Sequence, residues 1–178
     1  MKALLPVVFG TATLLSGAAF AESTNTITFK GEITEQTCSV TVNGSDAHLV
    51  VLLPTISKSE LKDAASSAGL TTFTMGVSGC SVDSSTLEIK TLFIGTNVTS
   101  SGNLATSGSA NNVELQLLTD ASGSTVIDLS NPMAVAGISI PAGEQSGEHD
   151  YAVRYFSPTG NATAGDVVAA VQYAISYL

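Results

Sequence analysis

Apolar and polar residues alternate from Thr26 to Ile33, with Ile27, Phe29, Gly31 and Ile33 on one side and Thr26, Thr28, Lys30 and Glu32 on the other. Period two is the signature of a half-buried β-strand. It recurs in Cys38-Val40-Val42, Phe73-Met75-Val77, Leu87-Ile89, Val113-Leu115-Leu117 and Tyr151-Val153-Tyr155. Near the end of the chain Val167, Ala169, Val171, Tyr173, Ile175 and Tyr177 are read as one face of a single long strand. The unbroken run Leu49-Val50-Val51-Leu52-Leu53 predicts a strand buried on both sides. Asn43-Gly44, Ser122-Gly123, Asn131-Pro132, Pro141-Ala142-Gly143 and Ser157-Pro158-Thr159-Gly160 punctuate these runs as turns. Many short strands with such punctuation predict an all-β sandwich or barrel. One short helix is expected over Ser57 to Ala68, where Ser57 and Glu60 have capping-box spacing and Gly69 stands at the C-terminal cap. Thr96 to Asn112, rich in Ser, Gly and Asn, reads as a long loop.

A leader precedes the strands. Met1-Lys2 gives a positive start, Ala3 to Gly17 is mostly apolar, and Ala19-Phe20-Ala21 puts small residues where a signal peptidase reads. Residues 1–21 are therefore expected to be removed as a signal peptide, since an apolar stretch of about 15 residues falls short of the roughly 20 a spanning helix needs. The 157 residues left are the length of one domain. Six basic residues against 15 acidic ones leave a net charge of -9, which removes the electrostatic footprint that nucleic acid or anionic lipid requires. Only 12% of residues are charged while 44 are Ser or Thr, so the surface is expected to be hydroxyl-rich.

Export changes the reading of the two cysteines, Cys38 and Cys80. In an oxidising compartment an even pair is most simply a disulfide, and a redox or metal site would want a CxxC or nearby histidines. Catalytic candidates are few. His48 opens an apolar run. His149 stands among Glu144, Glu148 and Asp150, but on a strand Glu148 and Asp150 share one face and His149 the other, which makes a shared metal ion awkward. Gly76-Val77-Ser78-Gly79-Cys80 lacks the spacing of a nucleophile elbow, and no glycine-rich phosphate loop opens a helix. Asn43-Gly44-Ser45, Asn97-Val98-Thr99 and Asn161-Ala162-Thr163 fit the glycosylation acceptor pattern by chance in so Ser/Thr-rich a chain. No Trp is present to stack on a sugar. No enzyme, cofactor or metal is expected.

The segment Thr26-Ile27-Thr28-Phe29-Lys30-Gly31-Glu32-Ile33, followed by Thr37-Cys38-Ser39-Val40, resembles the N-terminal stretch of the chaperone-usher pilins, most closely the type 1 fimbrial subunits of Gram-negative bacteria. Ser78-Gly79-Cys80 is similar to their second cysteine region, and Asn112 to Leu118 and Ala152 to Phe156 to two of their core strands. Gly165, fourteen residues from the end, and Tyr177, next to last, have the spacing typical of these subunits. The resemblance implies an incomplete immunoglobulin-like β-sandwich, a six-stranded pilin domain over residues 35–178, completed by a donor strand from a neighbouring subunit. Residues 22–34 would be the donor extension, with Ile27, Phe29 and Ile33 filling pockets and Gly31 allowing close approach where the groove is shallow. Val171, Tyr173, Ile175 and Tyr177 would line the acceptor groove, and the carboxylate of Leu178 would be held by a periplasmic chaperone. The other implied partners are an outer-membrane usher, further pilin subunits joined head to tail, and a host-surface receptor met by the assembled fibre. The resemblance leaves open a main shaft subunit, a minor adaptor or a carbohydrate-binding tip adhesin; 157 residues leave no room for the extra lectin domain that a tip adhesin would add.

Overall fold

The alternating stretches fold into two antiparallel sheets. The computed structural model describes residues 38–47, 49–82 and 84–177. The leader, the extension with Ile27, Phe29, Gly31 and Ile33, His48 and Leu178 lie outside the described residues. In chain order the strands are β1 (Ser39–Val42), β2 (Ser66–Ser78), β3 (Leu87–Gly95), β4 (Leu104–Ala105), β5 (Glu114–Leu118), β6 (Val135–Ile140), β7 (Ser146–Ser157) and β8 (Val171–Ser176). One sheet has the order β1-β2-β7-β5-β4 and the other β6-β3-β8. Inward residues of both sheets meet in one core: Phe73 and Met75 of β2, Phe93 of β3, Ile138 of β6 and Tyr151 of β7 are all buried in the same cluster. That is the sandwich of antiparallel sheets the pattern predicts.

Cys38 and Cys80 are bonded, with Cα atoms 4.7 Å apart, and tie the start of β1 to the residues that follow β2. Alternation is cleanest in β2, where Phe73, Met75 and Val77 are buried and the residues between them are not. In β5 it breaks down, since Leu115, Gln116, Leu117 and Leu118 are all buried. The following loop folds back over this strand, with Ile127 N bonded to Leu117 O and Leu118 bridged to Val126.

Several sequence expectations need correction. Leu49 to Leu53 is not a doubly buried strand: Leu49, Val50 and Leu52 are 42%, 66% and 84% exposed, and only Val51 and Leu53 pack on the core. An apolar run reports burial of its inner face alone when nothing covers the outer one. The helix shrinks to one 3-10 turn, Lys58–Leu61, although the capping box between Ser57 and Glu60 forms as read. Ser66 already belongs to β2, and its pairing with Ser157 of β7 outweighs the weak propensity of a Ser/Ala-rich segment. Gly69 is thus a residue of β2 rather than a helix cap. The last strand is shorter than expected, because residues 167–170 keep the alternation but bond to loop residues. The 96–112 loop itself carries β4 and buries Asn103, Leu104 and Ala110.

Gly137 of β6 marks a place where the layers press together. A Cβ there would stand 2.7 Å from His149 Cδ2 and 2.9 Å from Tyr151 Oη. Gly137→Ala is expected to lower the unfolding free energy by about 1 to 3 kcal/mol through overpacking. Urea unfolding checks this as a lower midpoint at unchanged slope.

Candidate functional site

β8 is bonded along one edge only, to β3, from Gly95 opposite Val171 to Lys90 opposite Ser176. Upstream of it, Asp166 N donates to Ser109 Oγ at 2.9 Å and Asp166 O accepts from Ala110 N at 3.1 Å. Val168 O accepts from Ser107 N at 2.8 Å, and Ala170 O from Thr96 N at 3.3 Å. Even-numbered residues therefore turn their main-chain groups toward the sheet and the loop. Because these groups alternate along an extended chain, Val167, Ala169, Val171, Tyr173 and Ile175 turn theirs to the opposite edge. No strand among the described residues meets that edge. The same odd-numbered residues direct half-buried side chains at the core.

The opposite wall is Leu49 to Leu53, whose Val51 and Leu53 face inward. Between the walls lies a groove with a cavity volume of about 260 Å³. Val171 and Tyr173 line one side, and Leu49, Val51 and Leu53 the other. Its floor is the core itself: Phe73, Met75, Phe93, Leu115, Leu117 and Val153. The groove is an opening into the interior between two segments, and among the described residues no strand lies between them.

Tyr155 divides this opening from a second one. Its hydroxyl donates to Pro54 O at 3.2 Å, bridging β7 to the end of the apolar wall. Burial pushes the Tyr155 phenol above its ordinary pKa, which favours the protonated donor that the bridge needs. Beyond the bridge is a cavity of about 330 Å³ over Leu61, Ala110, Val113 and Ala162, with Lys58 and Asp166 among its lining residues. Gly165 and Val167 line this second cavity. A side chain at Gly165 would meet Ala110 N at 2.4 Å, so only glycine lets the chain pass this close to the loop.

Of the groove residues anticipated from the sequence, Val171 and Tyr173 stand in the first cavity and Gly165 in the second, while Ile175 and Tyr177 continue the inward row past the first. Sequence reasoning missed the opposing wall and the Tyr155–Pro54 bridge. The wall left a signal, the apolar run, which was read for the wrong environment. The bridge left none, since it joins positions 101 residues apart.

His149, the described histidine, is held by its neighbours. His149 Nε2 donates to Thr119 O at 2.8 Å, and the ring packs edge-on to Tyr151 at 4.6 Å. Its neighbours Glu148 and Asp150 are exposed, Asp150 accepting from Thr74 Oγ1 at 2.6 Å. Among the described residues no three His, Cys, Asp or Glu side chains stand together as a metal site would need.

The chain is similar to known fimbrial proteins. The F17 fimbrial protein of Escherichia coli is 34% identical over 178 residues, covering 96% of each chain. The major fimbrial subunit SMF-1 of Stenotrophomonas maltophilia strain K279a is 31% identical, covering 85% of this chain and 91% of the relative. Among solved structures, the P pilus rod subunit PapA shares the fold, with a TM-score of 0.55 and 17% identity over 79% of this chain and 99% of that one. A family model described as "Fimbrial protein" matches residues 27–178, and the chain belongs to that family.

Proposed function

We propose that this chain is a structural subunit of a bacterial surface fimbria, polymerising by donation of its N-terminal extension into the groove of the next subunit. The carrying observation is the groove between β8 and Leu49 to Leu53, floored by core residues and flanked by an uncovered strand edge. An extended segment seated there would bond to the odd-numbered residues of β8 and send alternate side chains onto the floor, which is strand addition at a sheet edge. Ile27, Phe29 and Ile33 would each contribute roughly 1.5 to 3 kcal/mol by burial.

An antiparallel register with Ile27 level with Tyr173, Phe29 with Val171, Gly31 with Ala169 and Ile33 with Val167 suits both cavities. Ile27 and Phe29 enter the first and Ile33 the second, while Gly31 passes the Tyr155–Pro54 bridge, where a side chain has least depth. Chain length favours donation to another copy. Ser39 pairs with Ser78 and Tyr155 with Ala68, so Cys38 and the bridge lie near opposite ends of β2, about 30 Å apart at the rise of a strand. Five residues from Ile33 to Cys38 reach at most about 18 Å. Ile33 of the same molecule falls short of its own second cavity, whereas Ile33 of a neighbour does not.

Donor and acceptor surfaces differ, so the contact grows a filament rather than closing a ring. Before assembly the open apolar groove calls for a periplasmic chaperone that lends a strand and holds the Leu178 carboxylate, and for an outer-membrane usher that exchanges it. The finished fibre then stands outside a Gram-negative cell and meets its receptor there. Electron microscopy of cells with and without this chain tests the reading. Loss of shafts is expected for a shaft subunit and loss of tips for an adaptor, and unchanged fibres would refute it.

A further inference from the structure

We infer that Lys58 is a selectivity residue of the acceptor, pairing with Glu35 of the incoming subunit at the mouth of the second cavity. The inference rests on the donor-strand reading above and adds to it an electrostatic contact. Continued two residues past Ile33 beside Val167, and so one residue beyond the 22–34 extension, the same register would bring Glu35 level with Gly165, which lines the second cavity. Glu35 has the parity of Ile33, so in an extended donor its side chain would turn to the same inward side, toward a cavity whose base is Leu61, Ala110, Val113 and Ala162. A carboxylate brought there loses water and is stabilised only by a cation or by donors.

Lys58 lines that cavity and is exposed at its mouth. No carboxylate among the described residues forms an ion pair with it. Glu60, on the same turn, is occupied, its Oε1 accepting from Ser57 N at 3.0 Å in the capping box. Asp166 also borders the cavity, but it is exposed and forms no ion pair with Lys58. The donor supplies two acids near this end, and parity separates them: Glu35 faces in, while Glu32 faces out beside Val168. The described residues carry few cations in a chain with net charge -9, so a lysine at the entry of the groove is the complementary feature an acidic donor end would meet.

The contact would be partly solvated, hence modest and sensitive to salt. Its value lies in choosing between donors that fill the apolar pockets equally well.

A competition experiment tests this. The full mature chain is unfolded and refolded with an equimolar mixture of two synthetic peptides of residues 22–37, one native and one carrying Glu35→Lys, and the captured peptide is scored by native mass spectrometry. The native peptide is expected to win by roughly three- to tenfold at 50 mM salt, with the preference shrinking toward unity at 1 M. Lys58→Glu in the acceptor should reverse the preference, and Lys58→Met, which adds no repulsion, should abolish it. A Glu32→Lys peptide should be captured like the native one. Capture of both peptides without discrimination overturns the role of Lys58 and leaves strand donation standing. Failure to capture the native peptide at all overturns strand donation, and the Lys58 contact with it.

Discussion

Removing residues 22–33 is expected to leave a subunit that accepts a strand and cannot give one. The groove lies wholly within residues that the deletion spares, since its walls and floor run from Val42 to Tyr173. What is lost is the segment with alternating Ile27, Phe29 and Ile33, so fibre formation should fall from robust to undetectable rather than decline by degrees. A reciprocal variant, Val171→Lys, places an ammonium on the groove wall and should donate without accepting. Neither variant alone should yield fibres, and a mixture of the two should stop at a pair in which the lysine variant has donated to the deleted one. Size-exclusion chromatography and electron microscopy read both results. Fibres of ordinary length from the deleted chain would mean that polymerisation runs through some other surface.

The sandwich was legible because its inner faces repeat with period two and the core is built from those repeats. Phe73, Met75 and Val77 announce β2, which lies between a buried side and a more open one, and Tyr151 and Val153 announce β7, although Ala152 between them is buried as well. The disulfide was legible from the count of cysteines and the expectation of export. Legibility failed where environment rather than pattern decides. Leu49 to Leu53 looks like a strand buried on both sides because an apolar run does not state what covers it, and here the outer face is bare. Ser57 to Ala68 contains a true capping box, yet the chain leaves the helix after one turn because β7 offers Ser66 a ladder partner 91 residues away. One wall of the groove was readable in advance from the last strand. The other wall, the Tyr155–Pro54 bridge and the second cavity arise from contacts between distant positions, which local periodicity does not encode. Lys58 shows the same division, being an ordinary surface lysine in the sequence and the rim of a cavity in the fold.

The disulfide should decide how much force and denaturant the subunit withstands. It closes a separation of 42 residues, for which restriction of the unfolded chain amounts to about 4 kcal/mol in the loop-entropy model. Its position adds a mechanical consequence. On the donor-strand reading, tension in a fibre would enter each subunit from the segment that precedes Cys38. The next element, β1, is a strand of four residues that among the described residues pairs along its length with β2 alone, and without a covalent tie it would be the first to peel. The bond passes the load instead to Cys80, a buried residue between β2 and β3. Cys38→Ala with Cys80→Ala should therefore lose about 4 kcal/mol of unfolding free energy, and fibres built from it should break at lower shear. Reduced wild-type protein keeps the sulfur atoms that pack on the core, so comparing it with the double variant separates the covalent tie from lost packing. Equal denaturation midpoints for the oxidised and reduced wild type would show that the tie contributes nothing, and that β1 is held by its ladder and side chains alone.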